Sequence, residues 1–127
     1  MTPEQKLKYA ILDLDAVWQD KTLPTNLTGE EVDELWDDAE DIYEAMYEIR
    51  NGGVETGLVC QSSRHYESEA VAVQCPTGDW VGFTYWYGGG KHGDPESIDW
   101  IEYAYDVTCK EEQKMVTVRT FIQGTQS

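Results

Sequence analysis

The sequence predicts a single α+β domain, in which an N-terminal helical hairpin packs on one face of a mostly antiparallel sheet of about five strands. Two observations support this fold class. Residues 1–51 repeat apolar side chains at the three-and-four spacing of a helix face, whereas residues 54–122 favour β-branched and aromatic residues between short turns. The chain of 127 residues has an ordinary length for one domain, and residues 123–127 are expected to form a frayed tail.

The first predicted helix begins after Thr2 and ends near Asp20. Thr2 and Gln5 have the spacing of a capping box, and Pro3 suits the first helical position. The apolar face of this helix consists of Leu7, Ala10, Ile11, Leu14, Val17 and Trp18. Residues 20–27, which include Pro24, are predicted to form the connector to the second helix.

The second predicted helix runs without interruption from Thr28 to Ile49. Thr28 and Glu31 form a second capping box, and Gly52 and Gly53 end the helix. The apolar stripe consists of Val32, Leu35, Trp36, Ala39, Ile42, Tyr43, Met46 and Ile49. This stripe is the strongest periodic signal in the chain. Each of the two predicted helices therefore has one apolar face, and the two helices are expected to form a hairpin that buries these faces.

The remainder of the chain is predicted to be an antiparallel meander, because the connections between its apolar segments are short. The predicted strands lie near 54–61, 68–75, 80–87, 98–109 and 114–122. The longest predicted loop, 88–95, is rich in glycine and contains Lys91 and His92.

The charge balance excludes several classes of partner. The chain contains 25 Asp and Glu against 9 Lys and Arg, which gives a formal net charge of −16. Such a field repels DNA, RNA and anionic lipids, and it favours basic proteins. No apolar segment approaches the length of a membrane span, and the first residues lack a signal-peptide pattern. Cys60, Cys75 and Cys109 are odd in number, so we expect reduced thiols in a cytoplasmic protein.

The polar side of the second predicted helix carries ten acids and no base between Thr28 and Ile49. We call these residues the acidic face: Glu30, Glu31, Asp33, Glu34, Asp37, Asp38, Glu40, Asp41, Glu44 and Glu48. Like-charged neighbours four residues apart each destabilise a helix by a few tenths of a kcal/mol. On one straight helix the charges would lie about 3 Å apart along the axis, close to the spacing of about 3.4 Å along one DNA strand. The pattern therefore predicts a docking surface for a basic partner, although an acidic helix that only provides solubility would have the same composition.

The aromatic strand predicted at 80–87 provides a second candidate surface. Alternation places Val81, Phe83, Tyr85 and Tyr87 on one face and Trp80, Thr84 and Trp86 on the other. Because the helices can cover only one face, Trp80, Trp86 and Trp100 are expected to be exposed. Exposed Trp is typical of binding hot spots. The predicted partner-binding residues are Glu30, Asp33, Glu34, Asp37, Asp38, Glu40, Asp41, Glu44, Trp86 and Trp100.

Motifs for chemistry are lacking. The glycine-rich loop with Lys91 and His92 does not fit a phosphate-binding P-loop, because no Ser or Thr follows the Lys and a strand rather than a helix is predicted next. The three cysteines, His65 and His92 lack the spacing of a zinc site. No nucleophile has a recognisable partner, so we predict neither an enzyme nor a bound metal or cofactor.

The sequence is most consistent with a non-catalytic inhibitor that docks on a basic, nucleic-acid-handling protein. A phage or mobile-element anti-defence protein that mimics nucleic acid would fit, as would an immunity protein against a nuclease toxin. Two alternatives remain open at this point. One is a small-molecule binding module that uses the aromatic sheet, and the other is a structural or accessory protein whose charge provides solubility. A homodimer is compatible with each of these three hypotheses.

Overall fold

The structure is a computed structural model that describes residues 1–59, 63, 65–90 and 94–109. Its elements confirm the predicted α+β class, with the helices first and the sheet second. The elements in chain order are α1 (Pro3–Trp18), α2 (Gly29–Asp38), α3 (Tyr43–Asn51), β1 (Val54–Glu55), β2 (Glu67–Gln74), β3 (Trp80–Tyr87), a 3₁₀ turn (Pro95–Ser97) and β4 (Tyr105–Val107).

Both predicted capping boxes are present. Thr2 Oγ1 accepts from the Gln5 backbone N–H at 3.2 Å, and the Gln5 side chain accepts from the Thr2 N–H at 2.9 Å. Thr28 and Glu31 make the same reciprocal pair at the start of α2. These bonds satisfy backbone donors that the first turn of a helix leaves unpaired, which is why both helices begin where the sequence predicts.

The second helix is interrupted, and the prediction of one helix from Thr28 to Ile49 is therefore wrong. The helix α2 ends at Asp38, Ala39 is extended, and Asp41 lies in the left-handed region with φ of 55°. Short acidic side chains such as Asp41 compete with helical hydrogen bonds and tolerate the left-handed conformation better than most residues do. Because α2 and α3 both contact α1, the break lets the chain bend around that helix.

The sheet is antiparallel, with the strand order β1-β2-β3-β4. Its centre is the long pairing of β2 with β3, from Glu67 opposite Tyr87 to Gln74 opposite Trp80. About five strands were expected, and the described residues form four. The fifth predicted strand, 114–122, lies outside the described residues.

Two of the predicted strands are much shorter than expected. In the segment 98–109 only Tyr105–Val107 pairs as a strand, because Trp100 and Ile101 turn inward and join the core. In the first segment, 54–61, only Val54 and Glu55 pair as a strand, and residues 60 and 61 lie outside the described part of the chain. Alternation of apolar residues cannot distinguish a strand from a loop that inserts its side chains into the core.

The main core lies between the helices and one face of the sheet. Leu7 and Ile11 of α1 and Ala45 of α3 pack with sheet residues of β2 and β3. The buried members of this cluster are Leu7, Ile11, Ala45, Val71, Val81, Phe83, Trp100 and Ile101. A second cluster of Tyr9, Leu12, Val32 and Cys75 fixes α2 against α1. No helix in the described ranges is long and apolar enough to cross a membrane.

Gly82 allows β4 to lie close to β3. Gly82 pairs with Tyr105, and a Cβ atom added at Gly82 would lie 2.5 Å from Tyr105 Cε2 and 2.7 Å from Val107 Cγ2. Any larger residue at this position would therefore collide with both side chains of the edge strand. The glycine lets the Tyr105 ring lie across the face of the sheet that points away from the helices.

Candidate functional site

The acidic face is almost entirely accessible to solvent. Nine of its ten residues are exposed, and Asp33 is half-buried. Asp33 Oδ2 accepts from Gln5 Nε2 at 2.8 Å, and Glu31 Oε1 accepts from the Thr28 backbone N–H at 3.1 Å. Asp33 and Glu31 therefore have structural contacts within the hairpin, and the rest of the face projects into solvent.

The acids of this face are not neutralised by bases of the described ranges. The ion pairs found there join Lys6 to Asp79 and Asp106, and Lys8 to Glu4. Lys8, which belongs to the neighbouring helix α1, also lies 5.4 Å from the centroid of the Trp36 ring. The negative field of the acidic face is consequently left to solvent and counterions.

The helix break changes the geometry of the acidic face. Six of its acids lie on α2, Glu40 and Asp41 lie in the connector, and Glu44 and Glu48 lie on α3. The predicted regular row of charges along one straight axis is therefore wrong. The face is bent, because its charges follow two helices joined at the left-handed Asp41.

The tryptophans predicted to bind the partner are buried. Trp86 and Trp100 are each only 6% exposed, and Trp80 is half-buried. Trp100 packs on Phe83 with their ring centroids 4.9 Å apart, on the side of the sheet that faces the helices. The expected exposure of Trp86 and Trp100 is therefore wrong, and for Trp100 the reason is that the loop before β4 turns into the core.

A different group of aromatic residues is exposed. Tyr43 is 80% exposed, Tyr47 57% and Trp18 47%. Together with Glu44 and Glu48, these side chains line a shallow cleft of about 370 Å³ between the end of α1 and the outer side of α3. We call these five residues the aromatic cleft.

The prediction of one continuous helix placed Tyr43 in the buried apolar stripe. In the separate helix α3, Ala45, Met46 and Ile49 face the core, and the row formed by Tyr43 and Tyr47 faces outward. The sequence did contain a signal for this second row. Tyr43 and Tyr47 are four residues apart and so lie on the same side of a helix, and Tyr47 does not belong to the predicted apolar stripe.

Arg50 is a buried base in this acidic protein. It is 6% exposed, its guanidinium donates to the backbone carbonyl of Trp86, and its Nη1 lies 3.5 Å from Asn51 Oδ1. It lines a second cleft of about 290 Å³ together with Glu55, Glu69 and Tyr85, among others. These contacts join α3 to β3 at the end of the helix that carries the aromatic cleft.

Among the described residues, the cysteines and acids do not gather into a metal site. Cys75 is buried and Cys109 exposed, and both are free thiols. Within the described ranges, no group of three or more His, Cys, Asp or Glu residues could hold a metal ion. Cys60, Lys91 and His92 lie outside those ranges.

Comparisons of this chain with protein-family models, with curated proteins and with solved structures found no match.

Proposed function

We propose that this protein is a non-catalytic inhibitor that docks on a basic, nucleic-acid-handling protein through its acidic face. The observation that supports this proposal is the combination of nine exposed acids with the lack of an ion pair to any of them among the described residues. A basic groove that normally binds the phosphates of a nucleic acid would meet a concentration of negative charge here.

The physical advantage of such a surface is fast and selective encounter. Complementary charge raises association rates well above those of neutral surfaces, and the effect weakens as salt screens the field. The like-charged neighbours Glu30–Glu34, Asp33–Asp37 and Glu34–Asp38 within α2 each oppose folding by a few tenths of a kcal/mol. A docking role would explain why the protein keeps this unfavourable arrangement.

The bent geometry favours charge complementarity over imitation of a straight nucleic-acid strand. Two biological settings fit this mechanism: an anti-defence protein of a phage or mobile element, and an immunity protein against a nuclease toxin. In both settings the acidic protein occupies the nucleic-acid site of its partner, so inhibition follows from competition and requires no chemistry.

The test is affinity capture from host lysate, followed by an assay of the captured protein. Wild type is compared with a variant in which Glu34 becomes Gln and Asp37, Asp38 and Asp41 become Asn. Asn suits position 41 because it also tolerates a positive φ. The matched control neutralises four exposed acids that lie outside α2 and α3, namely Asp20, Glu67, Asp94 and Glu102.

Wild type and the control are expected to capture a basic nucleic-acid-handling protein and to reduce its binding or cleavage of nucleic acid. The acidic-face variant is expected to lose both effects. If the acidic-face variant and the control behave alike, the location of the charge is irrelevant and the proposal fails. Capture without any loss of the partner's activity would contradict the inhibitor role.

A further inference from the structure

We propose that the aromatic cleft receives an arginine side chain of the basic partner, between Tyr43 and Tyr47 and beside Glu44 and Glu48. This inference rests on the proposed function, since it names the chemistry that the partner contributes at one position of the docking surface. It assigns the two kinds of residue in the cleft separate tasks, which are stacking by the rings and charge pairing by the carboxylates.

The exposure of the aromatic residues is the first step of the argument. Tyr43, Tyr47 and Trp18 expose 80%, 57% and 47% of their surface, and Val17 beside Trp18 exposes 57%. Single exposed apolar residues are common, but a cluster of large ones that lines one cleft is typical of an interaction site. Tyr and Trp are also the residue types most enriched in binding hot spots, alongside Arg.

The carboxylates determine which chemistry fits the cleft. Glu44 and Glu48 are both exposed, line the same cleft, and make none of the ion pairs seen in the described ranges. A purely apolar partner would cover the rings and remove water from these charges without replacing it, which is strongly unfavourable. A cation contacts the negative face of the rings and pairs with a carboxylate at the same time.

Arginine meets these requirements better than lysine does. The guanidinium is planar and weakly hydrated, so it stacks on an aromatic ring while its N–H groups remain free to bind a carboxylate in a bidentate manner. The protein already contains such a contact, because the Arg50 guanidinium lies 4.7 Å from the centroid of the Tyr85 ring. Basic surfaces that hold nucleic acid are rich in arginine for the same reason.

The experiment uses two defined probes, an oligo-arginine peptide and an oligo-lysine peptide of equal length and charge. Their affinities for the full chain are measured by calorimetry at several salt concentrations. The test variants are Tyr43→Ala with Tyr47→Ala, and Glu44→Gln with Glu48→Gln. The matched control is Tyr103→Ala, which removes a tyrosine that is 64% exposed and does not line the cleft. Circular dichroism and urea unfolding check that each variant folds.

Wild type and Tyr103→Ala are expected to bind oligo-arginine more tightly than oligo-lysine. The double tyrosine variant is expected to lose about tenfold in oligo-arginine affinity, with little change for oligo-lysine. The double glutamate variant is expected to weaken the binding of oligo-arginine beyond the loss seen for oligo-lysine. A preference for arginine that survives both double variants would overturn the assignment of the cleft.

The same measurement separates this inference from the proposed function. If wild type binds both peptides equally and the acidic-face variant binds neither, electrostatic docking stands and the arginine site is refuted. If wild type binds neither peptide at low salt, the proposed docking function fails, and the arginine site fails with it.

Discussion

The guanidinium of Arg50 lies over the ring of Tyr85, 4.7 Å from its centroid, and donates to the backbone carbonyl of the next residue, Trp86. Tyr85 in turn donates its hydroxyl to Asn51 Oδ1 at 2.9 Å. These contacts join the end of α3 to the long central strand β3. One buried base therefore joins the end of the helix that presents the aromatic cleft to the sheet, in addition to the apolar contacts of α3.

Arg50→Met is expected to destabilise the fold by about 2–4 kcal/mol, because it leaves the Trp86 carbonyl without its donor and removes the stacking contact. Arg50→Lys keeps the charge but not the planar stacking, so its loss is expected to be smaller, at about 1–2 kcal/mol. Urea unfolding measures both values. Equal stability of wild type and Arg50→Met would show that the contact contributes nothing.

Gly82→Ala is expected to destabilise the domain by about 1–3 kcal/mol, because the new methyl group would collide with Tyr105 and Val107. Combining it with Tyr105→Ala should relieve part of the collision, so the double variant should be more stable than the sum of the single changes predicts. Additive losses in a urea-unfolding cycle would contradict this account of the edge strand.

Tyr9 is fully buried, donates its hydroxyl to the Pro24 carbonyl, and accepts from the Leu27 backbone N–H at 3.4 Å. Burial raises the pKa of Tyr9, because the phenolate would lose its water. The folded protein therefore holds this proton more tightly than the unfolded chain does. The resulting stabilisation is complete below about pH 10, the ordinary tyrosine pKa, and is lost as the pH rises through the higher folded value.

Tyr9→Phe is expected to cost about 1–2 kcal/mol near neutral pH, because both hydrogen bonds of the hydroxyl are lost. The same variant should lose less stability than wild type when the pH is raised above about 10. Free energies of unfolding measured in urea across this range test both parts. Tyr103→Phe, which removes an exposed tyrosine hydroxyl, is the control for the substitution itself.

Glu34→Gln is expected to stabilise the domain slightly, because it removes the like-charged pairs with Glu30 and Asp38 within α2. The gain should be about 0.4–1 kcal/mol at low salt and should shrink as salt screens the pairs. Glu67→Gln, which changes an exposed acid at the start of β2, is the control for general charge reduction. Thermal unfolding at low and high salt checks the result, and a salt-independent gain would count against repulsion as its cause.

Much of the fold was predictable because it depends on local rules. The capping boxes at Thr2 and Thr28 fixed the starts of two helices, since each box satisfies backbone donors that are only a few residues away. The pairing segment of β3 was predicted at the correct residues, because aromatic and β-branched residues between turn signals favour a strand. The acidic face was also evident from sequence, since charge is a property of composition and spacing.

The break between α2 and α3 was not predictable, because the apolar stripe continues through Ala39 and Ile42 without interruption. Both helices contact α1, and Asp41, a residue type that tolerates a positive φ, lies at the bend between them. That bend decided which residues of α3 face the core, and it placed Tyr43 and Tyr47 outside. Likewise, the burial of Trp86 and Trp100 depends on neighbours far away in the chain.

The sequence by itself determined the fold class, the starts of α1 and α2, the central strand and the acidic face, because each depends on residues close together in the chain. Only the tertiary structure decided which aromatic residues meet solvent, because exposure depends on how distant elements cover one another. The candidate site therefore combines a charge pattern that composition predicts with an aromatic cleft that only the packing of α1 against α3 creates.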